Sequence, residues 1–193
     1  MSQGKRPLAD AHLVETRVEG EVVFEGKLLD VRRDTVRLPD GKLGTREYIV
    51  HPGAVLIVPV LPDGRLVMLR QYRYPVDRIM IEFPAGKLDP GEASLATAQR
   101  ELREEAGYTA TRWQPFGLVH SVVGYSTEAI EFFVAEGLTD VGAALDDGEF
   151  LEIGTMSVDE MLTALDRGEI TDAKTVAALL LYVRRLLTPP TKR

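Results

Sequence analysis

The chain has 193 residues, of which 45% are hydrophobic, so it is long enough and apolar enough to bury one sizeable core. Its formal net charge of −7 argues against a general nucleic-acid surface, which needs a basic patch. The lack of cysteine excludes disulfides, thiolate catalysis and Cys-based zinc sites. Because no long apolar run is present, we expect a cytoplasmic protein without a signal peptide or membrane span.

The first third of the chain is predicted to form β structure. Alternating and β-branched residues occur throughout residues 12–53, and the turn sequence LPDGK at 38–42 predicts a hairpin. We expect residues 1–50 to form an N-terminal tail and β segment, and residues 51–193 to form the main domain.

A long apolar run marks the centre of the predicted sheet. AVLIVPVL at 54–61 is continuously apolar, as is typical of a strand buried on both faces. The Pro-Asp-Gly turn that follows it predicts a hairpin in which residues 54–61 pair with residues 65–72. A short strand containing Glu82 and a Gly/Pro-rich loop come next.

The second half of the chain combines predicted helices with further strands. Residues 93–106 are predicted to be helical, ending at Gly107. Apolar residues recur there at helical spacing, at Leu95, Ala98, Leu102 and Ala106. Three more strands, a helix opened by a capping box of Ser157 and Glu160, and a last helix follow. We therefore expect an α+β fold in which helices cover both faces of a mixed sheet.

Glutamates crowd the helix at 93–106. Glu101, Glu104 and Glu105 span an arc of roughly 100° beside the apolar stripe, so they lie next to the core. Carboxylate oxygens are hard ligands that suit Mg²⁺ or Mn²⁺, and Glu92 could reach the same place from the preceding loop. The alternative is a solvated acidic helix face that is partnered by Arg100 and Arg103.

The spacing of these residues resembles a known motif. Gly86, Glu92 and the run from Arg100 to Tyr108 match the Nudix box, GX5EX7REUXEEXGU with U apolar or aromatic, at every fixed position. The chain is thereby similar to the Nudix hydrolase superfamily, which implies an α/β/α sandwich. The family's reaction is the metal-dependent hydrolysis of a nucleoside diphosphate that is linked to another moiety.

The resemblance also implies roles for individual residues. Glu101 and Glu105 are the expected principal metal ligands, with Glu104 as a further ligand and catalytic residue. Arg100 is expected to orient the glutamates, and the backbone carbonyl of Ala85 to complete the metal's shell.

Residues around the box resemble the ADP-ribose pyrophosphatase branch of the family. That likeness implies a nucleotide-sugar substrate, with binding residues at Arg70, Arg73, Glu82, Gly124 and Glu128. Arg70 and Arg73 could instead be exposed hairpin charges. Val123 departs from the branch, which usually has proline there, and this leaves GDP-mannose hydrolysis open. A non-catalytic Nudix-fold sensor is a remote alternative, because the box is intact.

Two further expectations concern the general base and the assembly. In the resembled branch a loop after the box supplies a catalytic glutamate, for which Glu149 is the first candidate and Glu152 the second. Residues 13–50 are expected to pack across a homodimer, where they would help to line the partner's substrate site.

Overall fold

A computed structural model describes residues 8–145, 148 and 150–187. They form two compact units. The first contains residues up to His51 together with Val122–Glu128, and the second contains Pro52–Ser121 together with the chain from Ala129 onward. The fold is α+β, as predicted. No helix in the described ranges is long and apolar enough to cross a membrane.

The first unit contains a three-stranded antiparallel sheet in the order β1-β2-β3. Its strands are β1 (Thr16–Glu25), β2 (Asp30–Arg37) and β3 (Leu43–Val50). The predicted turn at 38–42 is confirmed between β2 and β3, where the Leu38 N–H donates to the Lys42 carbonyl at 2.8 Å.

One carboxylate is buried in this small sheet. Asp34 is only 5% exposed, and its Oδ2 accepts hydrogen bonds from Arg17 Nε at 2.9 Å and from the Tyr48 hydroxyl at 3.0 Å. Gly20 lies opposite Asp34, and a Cβ added there would approach Asp34 Oδ1 to 1.7 Å. A side chain at position 20 would therefore displace this carboxylate.

The second unit is built on a seven-stranded mixed sheet. The strands are β4 (Ala54–Val60), β5 (Leu66–Arg73), β6 (Arg78–Glu82), β7 (Ala85–Lys87), β8 (Tyr108–Val119), β9 (Ile130–Asp140) and β10 (Leu151–Met156). The order is β10-β5-β4-β9-β8, with β6 paired to β5 and β7 paired to β4. The sheet is mixed because β4 and β9 are parallel, whereas the other pairs are antiparallel.

The predicted hairpin between residues 54–61 and 65–72 is wrong beyond its turn. β4 and β5 share a single pair, Val60 with Leu66, and then separate. The space between them is taken by the next two strands, since β6 pairs with the end of β5 and β7 pairs with the start of β4. The separation therefore brings the start of the Nudix-like motif to the middle of the sheet.

Helices cover both faces of this sheet, as expected. They are α1 (Ser94–Ala106), α2 (Val158–Asp166) and α3 (Ala173–Leu187). Alternate residues of β4 point to opposite sides: Val55 belongs to a buried cluster with α1, whereas Leu56 belongs to a cluster with α2 and α3. This two-sided burial explains why the sequence of β4 is continuously apolar.

The boundaries of the helices agree with the sequence signals, but one residue of the predicted apolar stripe of α1 is not buried. Gly107 ends α1 with a φ of 73°, and Ser157 and Glu160 form the predicted capping box at the start of α2. Leu95, however, is 42% exposed, because it lies before the buried residues of α1, which begin at Thr97.

Candidate active site

The close approach of β7 to α1 builds the centre of the site. Gly86 in β7 faces Glu101 in α1 so closely that an added Cβ would lie 1.9 Å from Glu101 Oε1. Only glycine leaves this space, and the Glu101 carboxylate therefore lies directly against the backbone of β7.

Arg100 gathers the acidic residues of the motif around one guanidinium. Its Nη1 donates to Glu101 Oε1 at 2.8 Å and to Glu104 Oε2 at 3.1 Å, and its Nη2 donates to Glu92 Oε2 at 3.1 Å. The bond to Glu92, followed by the charges of the other carboxylates, raises the pKa of Arg100. We name Arg100, Glu92, Glu101 and Glu104 the Arg100 cluster.

Glu92 is fixed by a second donor. The buried Thr97 hydroxyl donates to Glu92 Oε2 at 2.9 Å. The hydrogen bonds from Arg100 and then from Thr97 lower the pKa of Glu92. This loop glutamate is thereby held, ionised, at the start of α1.

Glu105 occupies a separate, more buried position on the same helix. It is 7% exposed, and its Oε2 accepts a hydrogen bond from the Ala85 N–H at 3.0 Å. This bond brings together Ala85 and Glu105, two of the residues that were expected to bind metal.

The arrangement suits a divalent cation by its chemistry. Three carboxylates face one guanidinium in the Arg100 cluster, so the cluster carries excess negative charge. Among the described residues, no three His, Asp or Glu side chains converge as a metal-ligand set. In this structure Arg100 binds Glu101 and Glu104, so a cation would take these oxygens over from the guanidinium.

A second ionic cluster lies just before the motif. Glu82, at the end of β6, is 3% exposed and binds Arg73 through two hydrogen bonds, Nε to Oε1 at 2.7 Å and Nη2 to Oε2 at 2.8 Å. Lys174 of α3 also contacts the Glu82 carboxylate. Burial alone would raise the pKa of Glu82, but Arg73 and Lys174 outweigh it and hold this pKa below its usual range.

Lys174 was not predicted from the sequence to be a site residue. It follows Glu82 by 92 residues and belongs to a helix whose pattern indicates only an apolar stripe. The sequence signal close to Lys174 is Asp172, a residue type that favours the start of a helix. Asp172 accepts a hydrogen bond from the Thr175 N–H at 3.1 Å.

Arg70 and the second candidate base are paired with each other. Glu152 lies opposite Arg70 in the β5–β10 register, and their side chains form an ion pair although they are 53% and 72% exposed. They line a cleft of about 320 Å³ together with apolar residues that include Tyr72, Ile79 and Phe150.

Three of the expected site residues remain. Gly124 and Glu128 belong to the segment 122–128 of the first unit, where Glu128 lies 3.5 Å from His51. Glu149, the first candidate for the general base, lies outside the described residues.

Known proteins resemble the chain over most of its length. Residues 50–179 match the NUDIX domain, and residues 15–49 match the nucleoside diphosphate sugar hydrolase N-terminal domain. An ADP-ribose pyrophosphatase of Bacillus subtilis (strain 168) is 37% identical over 86% of this chain and 91% of its own. A methanol dehydrogenase activator of Bacillus methanolicus is 36% identical over 86% and 90%. The crystal structure of an ADP compounds hydrolase superposes with a TM-score of 0.79 and 27% identity, covering 90% of this chain and 94% of its own.

Proposed function

Because the chain belongs to the Nudix family, whose hydrolases need a divalent metal, we propose that it hydrolyses the pyrophosphate bond of ADP-ribose to AMP and ribose 5-phosphate. The observation that carries this proposal is the Arg100 cluster, which gathers three carboxylates around one guanidinium and places one of them, Glu101, against the backbone of β7. The choice of ADP-ribose is supported by the name of the Bacillus subtilis relative and by the match of residues 15–49 to a domain of nucleoside diphosphate sugar hydrolases.

The cation is proposed to be Mg²⁺, with Mn²⁺ as a substitute. Glu101, Glu104 and Glu105 would hold it through their carboxylates, and Ala85 through its carbonyl oxygen. When bound, such an ion neutralises pyrophosphate charge and makes water a better nucleophile. Arg100 holds the carboxylates of Glu101 and Glu104 close together, which lowers the cost of assembling the ligands.

The proton of the attacking water is proposed to go to Glu149. The box glutamates are poorer bases when their lone pairs bind a cation. Glu152, the other candidate, is engaged by Arg70 in an ion pair between two strands. A glutamate that is not a metal ligand can accept this proton while the whole ligand set stays on the cation.

Substrate binding is assigned to two arginines of β5 and to two residues of the segment 122–128. Arg70 and Arg73 carry the positive charge that a pyrophosphate requires, and Arg73 is oriented for this task by Glu82. Gly124 and Glu128 are proposed to contact the nucleotide or its terminal sugar.

The active assembly is proposed to be a homodimer formed through the N-terminal β segment. All ten residues of β1 are exposed, including Val18, Val22 and Phe24, and an exposed apolar strand favours pairing with another copy. Analytical ultracentrifugation at micromolar concentration should show a two-fold assembly. A fully active monomer would contradict this proposal.

A hydrolysis screen tests the substrate. ADP-ribose, GDP-mannose, UDP-glucose, NADH and diadenosine polyphosphates are compared by kcat/KM with Mg²⁺, and the products are identified by mass spectrometry. ADP-ribose should rank first and yield AMP, and removal of the metal by chelation should abolish turnover. A clear preference for GDP-mannose would replace ADP-ribose with that alternative.

A further inference from the structure

The start of α3 holds the chain segment that precedes the motif at two points. Lys174 binds the Glu82 carboxylate, and the buried Thr175 hydroxyl accepts a hydrogen bond from the Phe83 N–H at 3.1 Å. Two consecutive residues of the helix thus bind two consecutive residues of the strand end. Two residues further on, Ala85 bonds to Glu105 of the proposed metal site.

This helical turn is itself fixed. Asp172 Oδ2 accepts a hydrogen bond from the Thr175 N–H at 3.1 Å and another from Lys174 Nζ at 2.9 Å. Lys174 therefore lies between two carboxylates, and its side chain is only 19% exposed. A mostly buried ammonium between two anions is held more firmly than one in an exposed surface pair, because water screens it less.

The fixed Glu82 carboxylate in turn orients the Arg73 side chain. It takes two parallel hydrogen bonds from Nε and Nη2, which fix the plane of the guanidinium. Arg73 Nη1 makes no hydrogen bond to any described residue, and the Arg73 side chain is 42% exposed. The guanidinium thus keeps one donor group, opposite to its glutamate, for a ligand.

The charges of the four residues balance. Arg73 and Lys174 contribute two positive charges, and Glu82 and Asp172 contribute two negative charges. Without Lys174, the buried Glu82 would depend on Arg73 alone for compensation. The guanidinium would then be drawn further toward Glu82 and would be less able to serve an incoming anion.

We infer that Lys174 is a positioning residue, which holds Glu82 so that Arg73 presents Nη1 to the pyrophosphate of the substrate. This inference rests on the proposed hydrolysis of a nucleotide sugar. The pKa of Arg73 is consistent with this role. The hydrogen bond to Glu82 raises this pKa most, and the charge of Glu105 raises it further. Arg73 therefore interacts electrostatically with a glutamate of α1.

A purely structural role for Lys174 makes a different prediction. If its ammonium only neutralises a buried carboxylate, removing it lowers the melting temperature and leaves the KM of the folded protein unchanged. A positioning role instead raises KM more than it lowers kcat, and restoring the charge with arginine rescues KM.

The test compares Lys174→Met, Lys174→Arg and the matched control Arg112→Met, whose guanidinium forms an exposed ion pair with Glu136 between β8 and β9. Steady-state kinetics with ADP-ribose and Mg²⁺ give kcat and KM, and thermal melts report stability. Lys174→Met should raise KM by about tenfold, the effect of weakening one charged hydrogen bond. Lys174→Arg and Arg112→Met should stay near the wild-type KM.

A double-mutant cycle with Arg73→Lys examines the route of the effect. If Lys174 acts through Arg73, then Lys174→Met should add little to the KM of the Arg73→Lys variant. An unchanged KM in Lys174→Met, or the full tenfold rise in the Arg73→Lys background, would overturn the inference.

Calorimetric binding of inorganic pyrophosphate with Mg²⁺ separates this inference from the proposed substrate. Lys174→Met should weaken that binding by about the same tenfold factor, whichever sugar the enzyme prefers. A wild-type protein that does not hydrolyse ADP-ribose would disprove the substrate assignment. Equal pyrophosphate affinity in wild type and Lys174→Met would disprove the role of Lys174.

Discussion

The Arg100 cluster and the Asp34 site of the first unit use the same chemistry for different ends. In each, an arginine donates to carboxylate oxygen, at 2.8 Å for Arg100 to Glu101 and at 2.9 Å for Arg17 to Asp34. Asp34 faces one arginine and one tyrosine hydroxyl, so its charge is balanced. Arg100 faces three carboxylates, so its cluster keeps excess negative charge. The charge of Asp34 is already neutralised by Arg17, whereas the Arg100 cluster would be neutralised only by a further cation.

The largest expected effect separates these two sites by activity. Glu101→Gln removes one proposed ligand charge, and kcat should fall by about 10²-fold or more, because transition-state charge stabilisation is lost. The fold should change little, since Glu101 shares Arg100 with other carboxylates. Steady-state kinetics and circular dichroism give the two readouts.

Asp34→Asn is the matched control for that experiment. It keeps the shape of the side chain and removes the charge that pairs with Arg17, so the free energy of unfolding should fall by about 1–3 kcal/mol. Near wild-type turnover in Glu101→Gln, together with a large kcat loss in Asp34→Asn, would contradict the assignment of catalysis to the Arg100 cluster.

Two glycines provide the next comparison. In Gly86→Ala the added Cβ must displace the Glu101 carboxylate, and kcat should fall by about tenfold or more through misplacement of a metal ligand. In Gly20→Ala the added Cβ must displace Asp34 instead, and the main loss should be stability. Kinetics and thermal melts of both variants test this difference. Similar losses of kcat in the two variants would contradict it.

A smaller effect concerns acid stability. The pKa of Glu82 is lowered in the folded state, so its ion pairs stabilise the fold above the unfolded carboxyl pKa of about 4.3. This contribution is lost as the pH falls from there through the lowered folded value. Urea unfolding at a series of pH values should therefore give a shallower acid slope for Glu82→Gln than for wild type. Equal slopes would show that Glu82 binds its proton alike in both states.

The smallest effect is expected at the exposed pair of Arg70 and Glu152. Glu152→Gln should change the free energy of unfolding by about 1 kcal/mol or less, because water screens the pair. It should also lower kcat far less than Glu149→Gln does. A kcat loss that is larger for Glu152→Gln would move the general base to Glu152.

Local features of this protein could be predicted from its sequence because they depend on near neighbours. Three such features are the end of α1 at Gly107, the capping box of Ser157 and the turn at 38–42. Each depends on residues that are at most five positions from one another. The span of α1 follows from the spacing of its apolar stripe. The spacing of the Nudix-like motif likewise places Glu101, Glu104 and Glu105 on one side of one helix.

The tertiary structure decided what depends on distant parts of the chain. β4 and β5 look like a simple hairpin, yet their pairing ends at Val60 and Leu66 because β6 and β7 compete for the same backbone hydrogen bonds. Lys174 reaches Glu82 across 92 positions, and no local pattern encodes that contact. The periodicity of the sequence indicates which face of a helix or strand is buried. The pairing of the strands and the pairing of the buried charges are determined only when the sheet and its helices pack together.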